Sequence, residues 1–128
     1  MRNKAILLFF SFSFLVAQPS FTSKLIEENL DRVASVISVD LDQDGDMDVV
    51  YAVYGSDKIQ WEKNDGNQNF TTLVIDDNIN APKSIVAIDL DQDGDMDIVA
   101  NHPDYKRIVW YENDGNQNFT KNVATSSA

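Results

Sequence analysis

The 128-residue sequence contains no cysteine. Disulfide bonds and zinc–thiolate sites are therefore excluded, and so is a lipid anchor on cysteine. Cations are also scarce, because ten Lys and Arg stand against 21 Asp and Glu, which gives a formal net charge of −11. This balance argues against nucleic acid as a partner, since phosphate binding needs a basic face. An apolar fraction of 43% nevertheless indicates a folded chain.

The first 17 residues match the three-part pattern of a secretory signal peptide. Arg2 and Lys4 precede an apolar run, and small Ala17 stands before the polar residues that follow. The run is short for a membrane span, although a membrane anchor or a hydrophobic first strand is the alternative interpretation. We expect cleavage after Ala17 and export of residues 18–128 as a mature chain with no membrane span. Extracellular calcium is millimolar, so sites with dissociation constants of roughly 10⁻⁴–10⁻³ M would be filled there.

The rest of the chain repeats itself with a period of 49 residues. Aligned without gaps, the first unit (residues 21–69) and the second (70–118) are identical at 23 of 49 positions. Residues 119–128 begin a third unit in the same register. Matching pairs include Asp40 and Asp89, Trp61 and Trp110, and Phe70 and Phe119.

The third unit stops before its own aspartate-rich loop. Stacked repeats bury their faces only against neighbours, so a natural terminus usually carries an atypical closing unit. We therefore interpret the sequence as the N-terminal piece of a longer protein. The alternative is that residues 119–125 form a closing strand and the chain ends there.

The apolar pattern within a unit predicts an all-β fold. Residues alternate with period two in short stretches, and clusters such as Asn64–Asn67 mark tight turns. Four short antiparallel strands per unit suit one blade of a β-propeller. The predicted strands are Asp48–Val53, Ile59–Glu62, Phe70–Ile75 and Ser84–Ile88, together with Lys24–Asn29, whose counterpart Leu73–Asn78 has a β-like pattern.

Two identical nine-residue loops, 40–48 and 89–97, each carry five aspartates. Ca²⁺ takes about six to eight oxygen ligands, and aspartates at alternate positions can turn inwards on a curled loop. Glycine at the sixth position permits the sharp bend. Without a cation these carboxylates would repel one another, so an acidic surface turn is the less favourable interpretation. The aspartates are Asp40, Asp42, Asp44, Asp46 and Asp48, and Asp89, Asp91, Asp93, Asp95 and Asp97.

We expect the loops to hold Ca²⁺ for structural reasons, with about two ions per chain. The expected ligands are the side chains of Asp40, Asp42, Asp44 and Asp48 and the backbone carbonyl of Asp46, whose side chain stays spare or holds a water. An EF-hand is excluded, because its twelfth position is Glu and these loops have Tyr51 or Ala100 there. Magnesium and zinc are poorer candidates for a cage of carboxylates alone.

The pattern Asp-x-Asp-x-Asp-Gly-x-x-Asp, followed by Trp-x-x-Asn-Asp-Gly-x-x-x-Phe, resembles the FG-GAP/VCBS-type repeats of β-propellers. That family includes the integrin α-chain head, and the resemblance covers residues 21–128. It implies Ca²⁺ at each strand-to-strand hairpin, bound by the same ten aspartates. The family usually closes a ring of about seven units. Two units and a fraction cannot close one, so either the sequence is a fragment or several chains associate.

By this resemblance, the first hypothesis for function is a non-catalytic extracellular module. Ca²⁺ would stiffen the hairpins, and the module would bind a protein or a surface glycan, as in adhesion. The stretch that differs most between units, Tyr51–Lys58 against Ala100–Arg107, is the natural binding surface. The working ring would also need the remaining blades of a longer chain.

The second hypothesis is an enzyme, because some secreted polysaccharide-degrading lyases resemble this architecture. A lyase needs a base, and His102, Tyr105, Lys106 and Arg107 cluster in the second unit without counterparts in the first. Ordinary loop variation explains the same cluster. No nucleophile–base set recurs with the repeat, so no catalytic residue is assigned.

Two other repeated features have plain structural explanations. Trp61 and Trp110 fit packing in the core or between blades better than sugar stacking, because they occupy matching positions. Asn69 and Asn118 begin sequences that fit the N-glycosylation pattern, but both lie where a turn joins a strand.

Overall fold

The computed structural model describes residues 22–102 and 106–124. The predicted signal peptide, residues 1–17, lies outside these ranges. No helix in the described part of the chain is long and apolar enough to cross a membrane.

Within the described residues, eight β-strands form two four-stranded antiparallel sheets, and the order within each sheet follows the chain. A short 3-10 turn, Tyr54–Ser56, follows the second strand. The all-β prediction is confirmed, and four of the five predicted strands are present with bounds shifted by at most two residues. The strands are β1 Val33–Val39, β2 Asp48–Val53, β3 Lys58–Asn64 and β4 Phe70–Asp76 in the first sheet, and β5 Ile85–Ile88, β6 Asp97–His102, β7 Arg107–Asn113 and β8 Phe119–Ala124 in the second.

The boundaries of the sheets do not coincide with the boundaries of the 49-residue sequence units. Strand β4 begins at Phe70, the first residue of the second sequence unit, yet it pairs with β3 and completes the first sheet. In the same way β8 begins at Phe119 and completes the second sheet by pairing with β7. Each sheet therefore takes its outer strand from the sequence unit that follows.

The prediction of a strand at Lys24–Asn29 is wrong, because residues 22–30 have no regular secondary structure. Its counterpart is a strand up to Asp76 only because β3 lies alongside and exchanges backbone hydrogen bonds with it. Within the described residues no strand pairs with 24–29. The segment instead lies against the first sheet, where Glu27 Oε2 accepts a hydrogen bond from Thr72 Oγ1 at 3.3 Å.

The core lies between the two sheets. Strand residues alternate between faces, so Val50, Ile59 and Trp61 share one face of the first sheet. They join residues of the second sheet in a single buried apolar cluster. The Trp61 ring meets the Phe119 ring edge-on, with centroids 6.3 Å apart. The packing role predicted for Trp61 is confirmed. The second sheet contributes Ile85, Ile98, Ala100, Val109 and Tyr111 to this cluster.

The two sheets are not buried alike. Ile59 is 0% exposed, whereas Ile108, the same residue one repeat later, is 49% exposed. Leu41 is 1% exposed and its counterpart Leu90 is 46% exposed. The second sheet covers the face of the first sheet that carries Ile59. The equivalent face of the second sheet, which carries Ile108, is exposed to solvent.

A partly buried polar link also joins the sheets. The Tyr111 hydroxyl donates to Asp76 Oδ2 at 2.5 Å, and the Lys121 ammonium lies 2.6 Å from the same oxygen. Burial alone would raise the pKa of Asp76, but hydrogen bonds from Lys121, Tyr111 and the Asn78 N–H outweigh it and hold that pKa below its usual value. Burial and the bond to Asp76 raise the pKa of Tyr111.

The unequal burial of the two sheets predicts unequal effects of the same substitution. Ile59→Ala should lower the free energy of unfolding by about 2–5 kcal/mol, because it leaves a cavity in the core. Ile108→Ala, at the matched exposed position, should change it by about 0.5 kcal/mol or less. Urea unfolding of both variants measures this difference. Equal losses would show that the second sheet does not cover the first as described.

The Asp76 link predicts a dependence on pH. Since its pKa is lowered by folding, ionised Asp76 stabilises the fold above its unfolded value of about 4, and this contribution declines as pH falls through the folded value. Asp76→Asn should therefore have a lower free energy of unfolding than the wild type at pH 5–7, and this deficit should be smaller near pH 3. Urea unfolding at these pH values, with chelator present, tests it. The exposed neighbour serves as control, because Asp77→Asn should show a smaller deficit. A deficit for Asp76→Asn that grows towards acid pH would contradict the assignment.

Candidate metal centre

The two aspartate loops connect the first and second strands of each sheet. Val39 pairs with Asp48 at the base of the first loop, and Ile88 pairs with Asp97 at the base of the second. The antiparallel hairpin thus brings the first and ninth loop positions close together. Gly45 has φ +96° and lets the chain reverse, as predicted for the sixth position.

Three carboxylates converge in each loop, with candidate ligand atoms within 4.8 Å of one another. In the first loop they are Asp40, Asp42 and Asp48, and in the second Asp89, Asp91 and Asp93. These six belong to the ten aspartates predicted as ligands. The remaining four, Asp44, Asp46, Asp95 and Asp97, are outside these groups.

The ninth aspartate of each loop is an anchor. Asp48 is fully buried, and it accepts hydrogen bonds from Leu41 N at 3.1 Å and from Asn64 N at 2.8 Å. Asp97 makes the matching bonds with Leu90 N at 3.0 Å and Asn113 N at 2.9 Å. Burial raises the pKa of Asp48, and the two backbone hydrogen bonds act against that rise. This carboxylate therefore ties the loop to the end of the third strand.

Several carboxylate oxygens in the loops are buried without a hydrogen-bond partner. They are Oδ1 of Asp40, Asp42 and Asp89. The other oxygen of Asp40 accepts from Gly45 N at 3.0 Å, and that of Asp89 from Gly94 N at 3.2 Å. A buried carboxylate oxygen without a partner is costly, and a cation that prefers oxygen ligands would satisfy it. The donor set therefore fits Ca²⁺.

The fifth and seventh positions shape the loop. Asp44 Oδ1 accepts from Asp46 N at 3.0 Å, and the same bond recurs between Asp93 and Asp95 at 2.9 Å. These short turns hold the loop curled around its centre.

The side chain of Asp46 lies against the turn between β3 and β4. A Cβ placed on Gly66 would lie 2.4 Å from Asp46 Oδ2, and one on Gly115 would lie 2.5 Å from Asp95 Oδ2. The Asp46 side chain, predicted to be spare, therefore packs on Gly66. Sequence reasoning missed this contact, although both residues recur with the repeat.

The two loops also contact each other. Gln43 Nε2 donates to Gly94 O at 2.6 Å and to Asp95 Oδ1 at 3.1 Å. Asn113 Nδ2 donates to Leu41 O and to Met96 O, both at 3.1 Å. The bond of Asn113 to Met96 O repeats that of Asn64 to Met47 O in the first unit. The repeat pattern contains no signal for the bonds of Gln43 or for that of Asn113 to Leu41 O, because those partners lie in different units.

The neighbours of the two loops differ in charge. The Lys63 ammonium forms an ion pair with Asp42 Oδ2 and lies 4.0 Å from Asp44 Oδ2. One repeat later the equivalent residue is Glu112. Partial desolvation raises the pKa of Asp91, and the negative charges of Asp93, Asp97 and Glu112 add to this rise. The hydrogen bond from the Asp93 N–H acts against it.

The structure describes only some of the residues on which the lyase hypothesis depends. Tyr105 and the side chain of His102 lie outside the described residues, while Lys106 and Arg107 are exposed where β7 begins. The Asn69 amide, the group a glycan would modify, donates to Asp65 Oδ2 at 2.8 Å. The structural explanation for this asparagine is thus supported.

The contact of Gly66 with Asp46 predicts a specific coupling. Gly45→Ala should cost about 1–2 kcal/mol of unfolding free energy, because alanine is strained at φ +96° although the added Cβ meets nothing within 4 Å. Gly66→Ala, at φ +74°, should cost about 1 kcal/mol more, because its Cβ also displaces Asp46. This excess should vanish in an Asp46→Ala background, measured as a double-mutant cycle by urea unfolding. An unchanged excess would mean that the carboxylate is not the obstacle.

Comparison with protein families gives one result. A family model described as an FG-GAP-like repeat matches residues 40–100. The match begins at the first aspartate of loop one and includes all of loop two. Comparisons with curated proteins and with solved structures gave no match. The chain is therefore similar to an FG-GAP-like repeat across both of its aspartate loops.

Proposed function

We propose that the chain is an exported, non-catalytic repeat module in which Ca²⁺ stabilises the two aspartate loops. The observation that carries the proposal is the buried, unpartnered carboxylate oxygen at the first position of both loops, Asp40 Oδ1 and Asp89 Oδ1. Several carboxylates turned inwards repel one another, and the Lys63 ammonium offsets this only beside Asp42 in the first loop. The same arrangement occurs twice in register, which supports one shared role.

In this proposal the converging carboxylates hold the ion. They are Asp40, Asp42 and Asp48 in the first loop and Asp89, Asp91 and Asp93 in the second. Asp44 and Asp97 lie on the same loops, and the carbonyls of Asp46 and Asp95 remain candidate ligands. The ion supplies positive charge and fixes the loop, and the proposal assigns it no part in catalysis.

We further propose that the two sheets are blades of an FG-GAP/VCBS-type β-propeller, of the kind found in the integrin α-chain head. The FG-GAP-like match and the four-stranded antiparallel sheets support this assignment. The exposed face of the second sheet, with Ile108 and Leu90, carries the residues that the first sheet buries against its neighbour. A further sheet of the same repeat is the proposed occupant of that face.

The proposed role of the module is to bind an extracellular protein or glycan. Residues 1–17 match a secretion signal, and their sequence supports export. The stretch that differs most between repeats, Tyr51–Lys58 against Ala100–Arg107, offers a variable surface, and in the first unit it includes the turn Tyr54–Ser56. No observation on the described residues favours the lyase alternative.

Isothermal titration calorimetry tests the metal proposal. The mature chain should bind about two Ca²⁺, and chelator should lower the melting temperature, because an ion that binds only the folded state stabilises it. Asp40→Asn and Asp89→Asn should each remove about one site, since both keep an acceptor for the glycine N–H but lose the charge. Asp77→Asn, an exposed acid outside the loops, is the control and should bind as the wild type does. No heat of binding together with no effect of chelator would refute the proposal.

A further inference from the structure

The two loops share one sequence but have opposite charges beside them. Lys63 lies on the same face of β3 as Trp61, and its ammonium contacts Asp42 in the first loop. Glu112 occupies the matched position on β7, where its Oε2 accepts a hydrogen bond from Asn122 Nδ2 at 3.1 Å. The substitution of Lys by Glu between units changes the charge beside the loop by two units.

Lys63 places a positive charge among the residues that would hold the metal. Asp42 gives one oxygen to the ammonium, and its other oxygen is buried without a partner. A cation entering the first loop must either displace the ammonium from Asp42 or bind beside it. Either event weakens binding, because two like charges about 4 Å apart repel each other. The repulsion is on the order of 1 kcal/mol in bulk water and about 4 kcal/mol near a protein surface.

Glu112 has the opposite effect on the second loop. It takes the place of Lys63 in the second unit, directly before Asn113, whose N–H binds Asp97 of the second loop. The second loop therefore has no built-in counter-ion from this position and carries one more negative charge nearby. A divalent cation gains from this extra attraction, while the metal-free loop carries more repulsion.

We propose that Lys63 and Glu112 set unequal cation affinities, so that the second loop binds Ca²⁺ more tightly than the first. Lys63 acts as a tethered ammonium that stabilises the empty first loop and competes with the metal. Because Glu112 supplies no positive charge, the repulsion among the carboxylates of the second loop is relieved by the bound metal. This inference rests on the proposed function, because it requires that the loops bind Ca²⁺.

The two affinities can be measured separately with single-loop proteins. Asp89→Asn leaves the first loop to bind, and Asp40→Asn leaves the second. Calorimetric titration with Ca²⁺ should give a dissociation constant about tenfold or more smaller for the second loop. Both proteins carry the same type of change at the same loop position, so they form a matched pair.

Reciprocal charge swaps then test the cause. In the single-loop proteins, Lys63→Glu should tighten binding to the first loop, and Glu112→Lys should weaken binding to the second, each by about tenfold or more. Lys63→Gln, which removes the ammonium without adding a negative charge, should give an intermediate constant. Lys106→Glu is the charge-matched control, because residue 106 precedes β7 at the end away from the aspartate loops. It should shift the constant much less.

The outcomes separate the two proposals. No calcium binding in any variant would overturn the proposed function and this inference together. Binding of equal strength in both loops, unchanged by either swap, would overturn the inference and leave the proposed function standing. Circular dichroism before titration establishes that each variant is folded. If Lys63→Glu does not fold, Lys63→Gln carries the test, and unchanged binding by that variant would overturn the role of Lys63.

Discussion

The buried carboxylate at the ninth loop position, Asp48 or Asp97, is the interaction on which the hairpin architecture depends. It joins three segments: the start of the second strand, the backbone early in the loop and the end of the third strand. Because both of its oxygens accept backbone N–H groups, the loop is held in a curled shape by the sheet beneath it. The other aspartates are then brought close together by the fold, and their mutual repulsion becomes a property of the folded state.

Identical sequences have different environments in the two sheets. Leu41 and Leu90 occupy the same loop position, yet only Leu41 is buried. The loops are likewise unequal, because Gln43 reaches from the first onto the second and Asn113 reaches back to Leu41 O. Local sequence specifies the curl of each loop, whereas stacking specifies what surrounds it.

Features that depend on local pattern could be predicted from the sequence. The alternation of apolar residues predicts the positions of β2 and β4, and the spacing of aspartates and glycine predicts both loops. The recurrence of Trp61 at Trp110 predicts a packing role for its side chain. These predictions succeeded because their physical causes lie within a few neighbouring residues.

Features that depend on an absent or distant partner could not be predicted. Lys24–Asn29 has the pattern of a strand, but within the described residues no strand pairs with it. The contact of Asp46 with Gly66 joins two turns 20 residues apart, and the ion pair of Lys63 with Asp42 joins a strand to a loop. The sequence predicts four carboxylate ligands and one carbonyl ligand in each loop, and only the three-dimensional arrangement identifies the three carboxylates that converge.

The offset between sequence unit and sheet has a consequence for how such a protein can grow. If 49 residues are duplicated in tandem, the last strand of the older sheet is encoded at the start of the new copy, as Phe70 shows for the first sheet. Neighbouring copies are therefore joined by hydrogen-bonded backbone as well as by a linker. A break in the chain before Phe70 would remove β4 from the first sheet and expose the edge of β3. In an array of such units, each sheet is complete only when the start of the following unit is present.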